Sequence, residues 1–270
     1  MGIFNKKTTE HYFNKPSNAT VGQCFTMGDT ITKASFFVFG LGNILNKQIG
    51  RGLIFLAIEI GYLVYMITFG INALGDMMTL GTATQQEVFN ETLGIYEYTP
   101  GDNSMLCLLF GVATIMLTIA IVFFACMSGK SAFATQFRKE KGMHVPTFMD
   151  DIRSIKEENL HVAMMAFPIV GVLVFTITPL IYTILVAFTN YDRDHQPPGN
   201  LFDWGGMENF VKLFASGGKL ANTFWPVLCW TLIWAVFATF TNYFLGMIVA
   251  MLINKRGIRF KKLWRTILIT

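Results

Sequence analysis

Charge is what this sequence has least of. Only 14% of its 270 residues are Asp, Glu, Lys or Arg, against roughly 25% in a soluble domain. With 53% hydrophobic residues and a mean hydropathy of +0.46, that deficit excludes an ordinary water-soluble globule and points to a membrane protein. Cysteine is also scarce. Cys24, Cys107, Cys126 and Cys229 show no C-x-x-C or Cys/His spacing, which excludes a zinc ribbon or a disulfide framework and leaves buried, inert thiols as the expectation. The four histidines, at 11, 144, 161 and 195, converge with no Ser, Cys or carboxylate pair, so the chain offers no hydrolytic or acid–base constellation. The first fifteen residues are polar and lack an apolar run, so no cleavable secretory signal is expected in them. Gly129-Lys130-Ser131 ends like a phosphate-binding loop, but that loop requires glycine at position 124 and Phe124 stands there. Nucleotide, if used, is bound by another chain.

What the chain has in quantity is long apolar runs. About 20 residues of helix cross a bilayer core, and four runs qualify: Leu53–Leu74, interrupted by Glu59; Met105–Met127; Val162–Thr189, carrying Pro168 and Pro179; and Thr223–Ile253. A further run opens near Thr266. The fold class expected is all-α and polytopic, with four complete transmembrane helices and the start of a fifth. Lys and Arg number six in residues 1–52, none in 75–104, six in 128–161, three in 190–222 and six in 254–265. This alternation predicts a cytoplasmic N-terminus by the positive-inside rule. Pro179 removes a backbone donor in mid-run and predicts a kink.

Two stretches read as lying beside the membrane. "ASFFVFGLGNILNKQ" is apolar but too short to span, so it predicts an interfacial or re-entrant segment. "PTFMDDIRSIKEENLH" predicts a polar helix opened by Thr147 and Asp150 in a T-x-x-D cap. On the other side, "MENFVKLF" predicts an amphipathic helix with Phe210, Leu213 and Phe214 on one face, and Asp192, Asp194 and His195 sit in a solvated loop with no metal-type spacing. The domain organisation expected is an N-terminal cytoplasmic segment over 1–52, a first transmembrane hairpin over 53–127, a cytoplasmic linker over 128–161, and a transmembrane core that begins at 162 and is incomplete at 270.

Three polar residues inside the runs are candidates for a transport pathway or for interhelical contact. Glu59 is the one ionisable residue in a spanning run, and such a group is either a relay or paired with a neighbour. Asn242 and Tyr243 lie deep in the fourth run, where polar groups line a solute path or bind helices together. No catalytic, cofactor-binding or metal-binding residue stands out.

The stretch "PLIYTILVAFTNYDRDHQPPGNLFDWGGMENFVKLF" resembles a spanning helix and following loop of carbohydrate ABC importer permeases: a proline-containing helix ending in "FTNY", then Gly206-Met207-Glu208-Asn209-Phe210 in place of a "GLENF" stretch. "NKRGIRFKKLWRTILIT" resembles the passage into the next helix. The likeness is to the N-terminal part of the maltose-type, MalF-like permeases with a MetI-like transmembrane fold, covering about Thr30 to Thr270. It implies a subunit in the bacterial cell membrane that forms part of a path for maltodextrin or another oligosaccharide. It also implies a second permease, two cytoplasmic ATPase subunits that use ATP, an extracytoplasmic sugar-binding protein, and no nucleic acid. The "EAA…G" segment that contacts the ATPase in this family does not occur here, and it and most sugar-contacting residues are expected beyond Thr270. The rival reading, an ion- or proton-coupled secondary transporter, rests on Glu59 alone.

Overall fold

The computed structural model describes residues 19–157, 159–215, 218–254 and 266. The basic passage after Asn254 and the run opening at Thr266 therefore fall almost wholly outside the described residues. The chain divides into two compact units, residues 1–205 and 206–270.

In the first unit three short helices come first: α1 (Val21–Met27), α2 (Thr30–Ala34) and α3 (Leu41–Leu45). Helices this short do not hold themselves, and each of the first two is closed by its own cap. Thr20 and Gln23 form a capping box at α1, and the Asp29 carboxylate accepts the Thr30 N–H at α2. The expected interfacial segment is thus a pair of helical turns linked through Gly40. Gly40 has φ +76°, and a Cβ there would lie 2.3 Å from the Gly52 carbonyl. Only glycine allows that approach.

The first spanning helix runs over Ile49–Thr79 as α4 (Ile49–Tyr65), a π turn at Met66–Gly70, and α5 (Ile71–Thr79). A hairpin follows that the apolar pattern did not predict. It pairs β1 (Glu87–Asn90) with β2 (Ile95–Tyr98) antiparallel, Phe89 opposite Tyr96. The second spanning helix, α6, runs from Ser104 to Glu140 over 37 residues. Asn103 caps it, its side-chain oxygen accepting from the Met105 and Leu106 N–H groups at 3.0 and 3.3 Å. At 1.5 Å per residue α6 is about 56 Å long, well beyond a bilayer core of about 30 Å. The apolar run predicted only its first two-thirds. The remainder, from Ser128 on, is the post around which α1, α2 and α3 wrap, burying Cys24, Ala19 and Phe133.

α7 (Phe148–Glu157) is the predicted polar helix, and Thr147 and Asp150 cap it as the T-x-x-D pattern requires: the Thr147 N–H reaches the Asp150 carboxylate at 2.8 Å. The third spanning helix covers Leu160–Val186. It consists of α8 (Leu160–Val172), a π turn at Leu173–Ile177 and α9 (Thr178–Val186), with Pro179 at its start. The bond that Pro179 cannot donate is absorbed by that wider turn, and the Thr178 hydroxyl satisfies the Leu173 carbonyl at 2.9 Å.

The second unit holds α10 (Glu208–Phe214) and α11 (Lys219–Asn254). The Phe214 ring packs on Trp225 at a 5.7 Å centroid distance. α11 supplies the fourth span, Ala221–Ile253.

Candidate functional site

Among the described residues, four helices are long and apolar enough to cross a membrane. They differ in how much the chain itself covers. In α6 part of the apolar stretch is buried, whereas the most apolar windows of Leu160–Val186 and Ala221–Ile253 have no buried residue. Phe167 and Phe175 are almost fully exposed, and Trp230, Trp234, Phe237 and Tyr243 are open along α11. In water such surfaces would aggregate. In a bilayer they face lipid tails or other helices at no cost. Cys229 is exposed on the same helix, and Cys107 and Cys126 are half-buried. The expectation of buried thiols therefore holds fully only for Cys24; Cys229 is open because, among the described residues, no second spanning helix lies in the unit of α11.

Glu59 lies on α4, half-buried, and its carboxylate accepts the Phe39 N–H at 2.8 Å. It thus anchors the turn between α2 and α3. Nearby, Tyr62 and Tyr65 on α4 bond the Thr118 and Thr114 hydroxyls of α6 at 3.0 and 2.8 Å. Such hydroxyl pairs hold helices together where no water competes. Asn242 and Tyr243 are exposed on α11.

At the end of the first unit where basic residues concentrate, side-chain hydrogen bonds form a collar around α6. The Ser128 hydroxyl donates to the Ser35 carbonyl and accepts the Gly40 N–H, both at 2.8 Å. The Asn43 amide donates to Gln48 at 2.7 Å and to Ser131 at 2.8 Å. Thr135 donates to Gln48 at 2.8 Å, and Gln48 donates to the Pro146 carbonyl at 2.8 Å. The Gly-Lys-Ser triplet therefore sits inside an unbroken helix. Gly129 admits the Phe36 ring, where a Cβ would lie 2.2 Å from Cζ, and Ser131 accepts from Asn43. Both residues serve packing. The spacing Ser128, Ser131, Thr135 puts hydroxyls on one helix face and was the signal in the sequence for this collar.

Next to the collar is a polar cavity of about 480 Å³, lined by Arg51, Arg138, His144, Asp150, Asp151 and Ser154 among others. Arg51 pairs with Asp151 at 2.6 Å. The Asp150 carboxyl is held down to about 2, chiefly by the Thr147 N–H and then by His144.

At the opposite end of this unit the segments before α6 and after α9 are clamped. Phe202 is fully buried with Leu80 and Leu108. The Trp204 indole donates to the Met77 and Met78 carbonyls at 3.2 and 3.1 Å. Asp102 accepts from the Thr82 and Ala83 N–H groups, and these bonds lower its pKa, Ala83 first. A polar hollow of about 550 Å³ lies between them, lined by Thr82, Thr84, Asp194, His195, Asn200 and Asp203. Asp192 accepts from the His195 ring at 2.7 Å, which lowers the carboxyl's pKa. Among the described residues no three His, Cys, Asp or Glu side chains are placed to hold a metal ion.

Apolar spans with uncovered faces, joined by clamped polar ends, define a polytopic integral membrane protein. The comparisons with known proteins place it further. The chain is 33% identical over 230 residues to the maltodextrin transport system permease protein MdxF of Bacillus subtilis, an alignment covering 84% of this chain and 49% of that protein. It is 32% identical over 230 residues to the maltodextrin transport system permease protein MalC of Streptococcus pneumoniae, with the same coverage. The galactooligosaccharides transport system permease protein GanP of Bacillus subtilis is 31% identical over 237 residues, 85% of this chain and 51% of that protein. The chain is thus homologous to oligosaccharide ABC transport permeases, and spans about half the length of these curated relatives. No family model and no solved structure matches it.

Proposed function

We propose that this chain is part of a permease subunit of an ATP-driven oligosaccharide importer, with residues 1–52 on the cytoplasmic side. It has no catalytic role. ATP is used by two partner subunits, a second permease completes the path, and an extracytoplasmic binding protein delivers maltodextrin or a related oligosaccharide. The observation that carries this reading is the extended similarity to maltodextrin permeases, together with spanning helices whose faces the chain leaves open. Open faces on Leu160–Val186 and Ala221–Ile253 suit helices that pack against other transmembrane segments. Asn242 and Tyr243 are the polar groups offered on α11 to that interface or to the solute path.

Uptake of labelled maltotriose and of a labelled galacto-oligosaccharide, in cells lacking the gene and cells with it restored, tests the reading. Loss of uptake of one of these sugars and its return on restoration is expected. Equal uptake with and without the gene would sink it.

A further inference from the structure

The polar cavity at the basic end of the first unit has no part in the reading above. It is walled by the first turn of α4, the last turns of α6, the Met143–Thr147 connection and α7, and holds about 480 Å³. Its two arginines and two aspartates balance in formal charge, but among the described residues they are not all paired. The carboxylates on the cavity are already engaged: Asp151 with Arg51 at 2.6 Å, and Asp150 with the Thr147 N–H and hydroxyl and with His144. Arg138 is half-buried, lines the same cavity, and has no acidic partner among the described residues. Ser154 keeps a hydroxyl hydrogen to donate, since its oxygen accepts from Asn159 at 2.8 Å.

Guanidinium groups at a partly desolvated cavity match the bidentate geometry of phosphate. The surroundings add a second feature. Arg51 stands in the first turn of one spanning helix, and α7 leads into another at Leu160. The cavity is therefore at the rim of the membrane. α7 also presents an apolar face there: Met149 is 73% exposed and Ile155 49%, with Phe148 and Ile152 beside them. Cationic pockets between juxtamembrane helices hold lipid headgroups, and an exposed apolar helix face is where acyl chains lie.

We propose that this cavity binds a phosphate-bearing anion through Arg138 and Arg51, supplied as an anionic phospholipid headgroup or as free phosphate. The site does not depend on what the protein transports.

The test uses the purified protein in nanodiscs of phosphatidylcholine alone or mixed with phosphatidylglycerol, with retained lipid measured by native mass spectrometry. Wild type retains phosphatidylglycerol preferentially. Arg138→Gln loses that preference by about tenfold or more, the scale of one charge-assisted contact. Lys139→Gln, one residue away and off the cavity, keeps it. If phosphatidylcholine discs show protection against heat by inorganic phosphate, absent in Arg138→Gln, the source is free phosphate and the site stands. Phenylglyoxal modification of the wild type, mapped to Arg138, reads the same site without a variant: phosphatidylglycerol or phosphate protects it and chloride at equal ionic strength does not. Absence of protection by both phosphate sources, or equal loss in Lys139→Gln, overturns the proposal.

Discussion

Ser128→Ala removes one oxygen from the centre of the collar. That oxygen accepts the Gly40 N–H and donates to the Ser35 carbonyl, both at 2.8 Å, and all three residues are buried. The methyl that replaces it satisfies neither group. An unsatisfied buried backbone group costs about 1–3 kcal/mol, so two would cost about 2–4 kcal/mol after some relaxation. Against this, alanine is the better helix former by about 0.5 kcal/mol. The lost hydrogen bonds win, with a net destabilisation of the α2–α3 turn near 2 kcal/mol. Each 1.4 kcal/mol is tenfold in an equilibrium constant, so amide exchange over residues 35–44 should quicken roughly thirtyfold when followed by mass spectrometry on the protein in nanodiscs. Thr26→Ala is the comparator. Its hydroxyl bonds the Gly22 and Gln23 carbonyls but is exposed, and the change should be worth less than about 0.5 kcal/mol. If Ser128→Ala exchanges like wild type, or no faster than Thr26→Ala, the collar does not hold the N-terminal helices in place.

Three further outcomes are expected. Glu59→Gln keeps an oxygen for the Phe39 N–H, so oligosaccharide uptake and its dependence on external pH should stay near normal; a sharp fall with a flattened pH profile would instead mark a proton relay. Cysteines placed at Thr92 and Gly199 should react with an impermeant thiol reagent in intact cells, whereas cysteines at Lys141 and Lys156 should react only after the membrane is opened, and labelling of Lys141→Cys from outside would reverse the orientation. The Asp150 carboxyl is lowered from 3.8 to about 2 in the folded protein, so its contribution to the α7 cap is complete above about pH 4 and is lost as pH falls through about 2. Amide exchange of α7, corrected for its intrinsic pH dependence, should hold level from pH 7 to 4 and rise only below that, and a rise already between pH 7 and 5 would contradict the cap.

The spans were legible because a bilayer imposes one requirement on sequence, some twenty apolar residues per crossing; three of the four runs end within about five residues of the helices observed, and the second matches its helix at the start only. The T-x-x-D cap of α7 was legible for a similar reason: Thr147 and Asp150 satisfy each other over three residues, and the one further contact, from His144, is also local. Homology to sugar permeases followed from local signatures around Pro179, Asn190 and Asn209. The extension of α6 to Glu140 was not legible, because its last turns are polar and are helical for what wraps them. Nor was the partner of Glu59, since the Phe39 N–H comes from a turn twenty residues away. The collar and the cavity beside it join residues some 80 to 100 positions apart, such as Asn43 with Ser131 and Arg51 with Asp151. Periodicity and capping are local and can be read along a chain. Which hydroxyl meets which amide, and which arginine is left without a carboxylate, depends on the crossing of helices, and only the tertiary structure decides that.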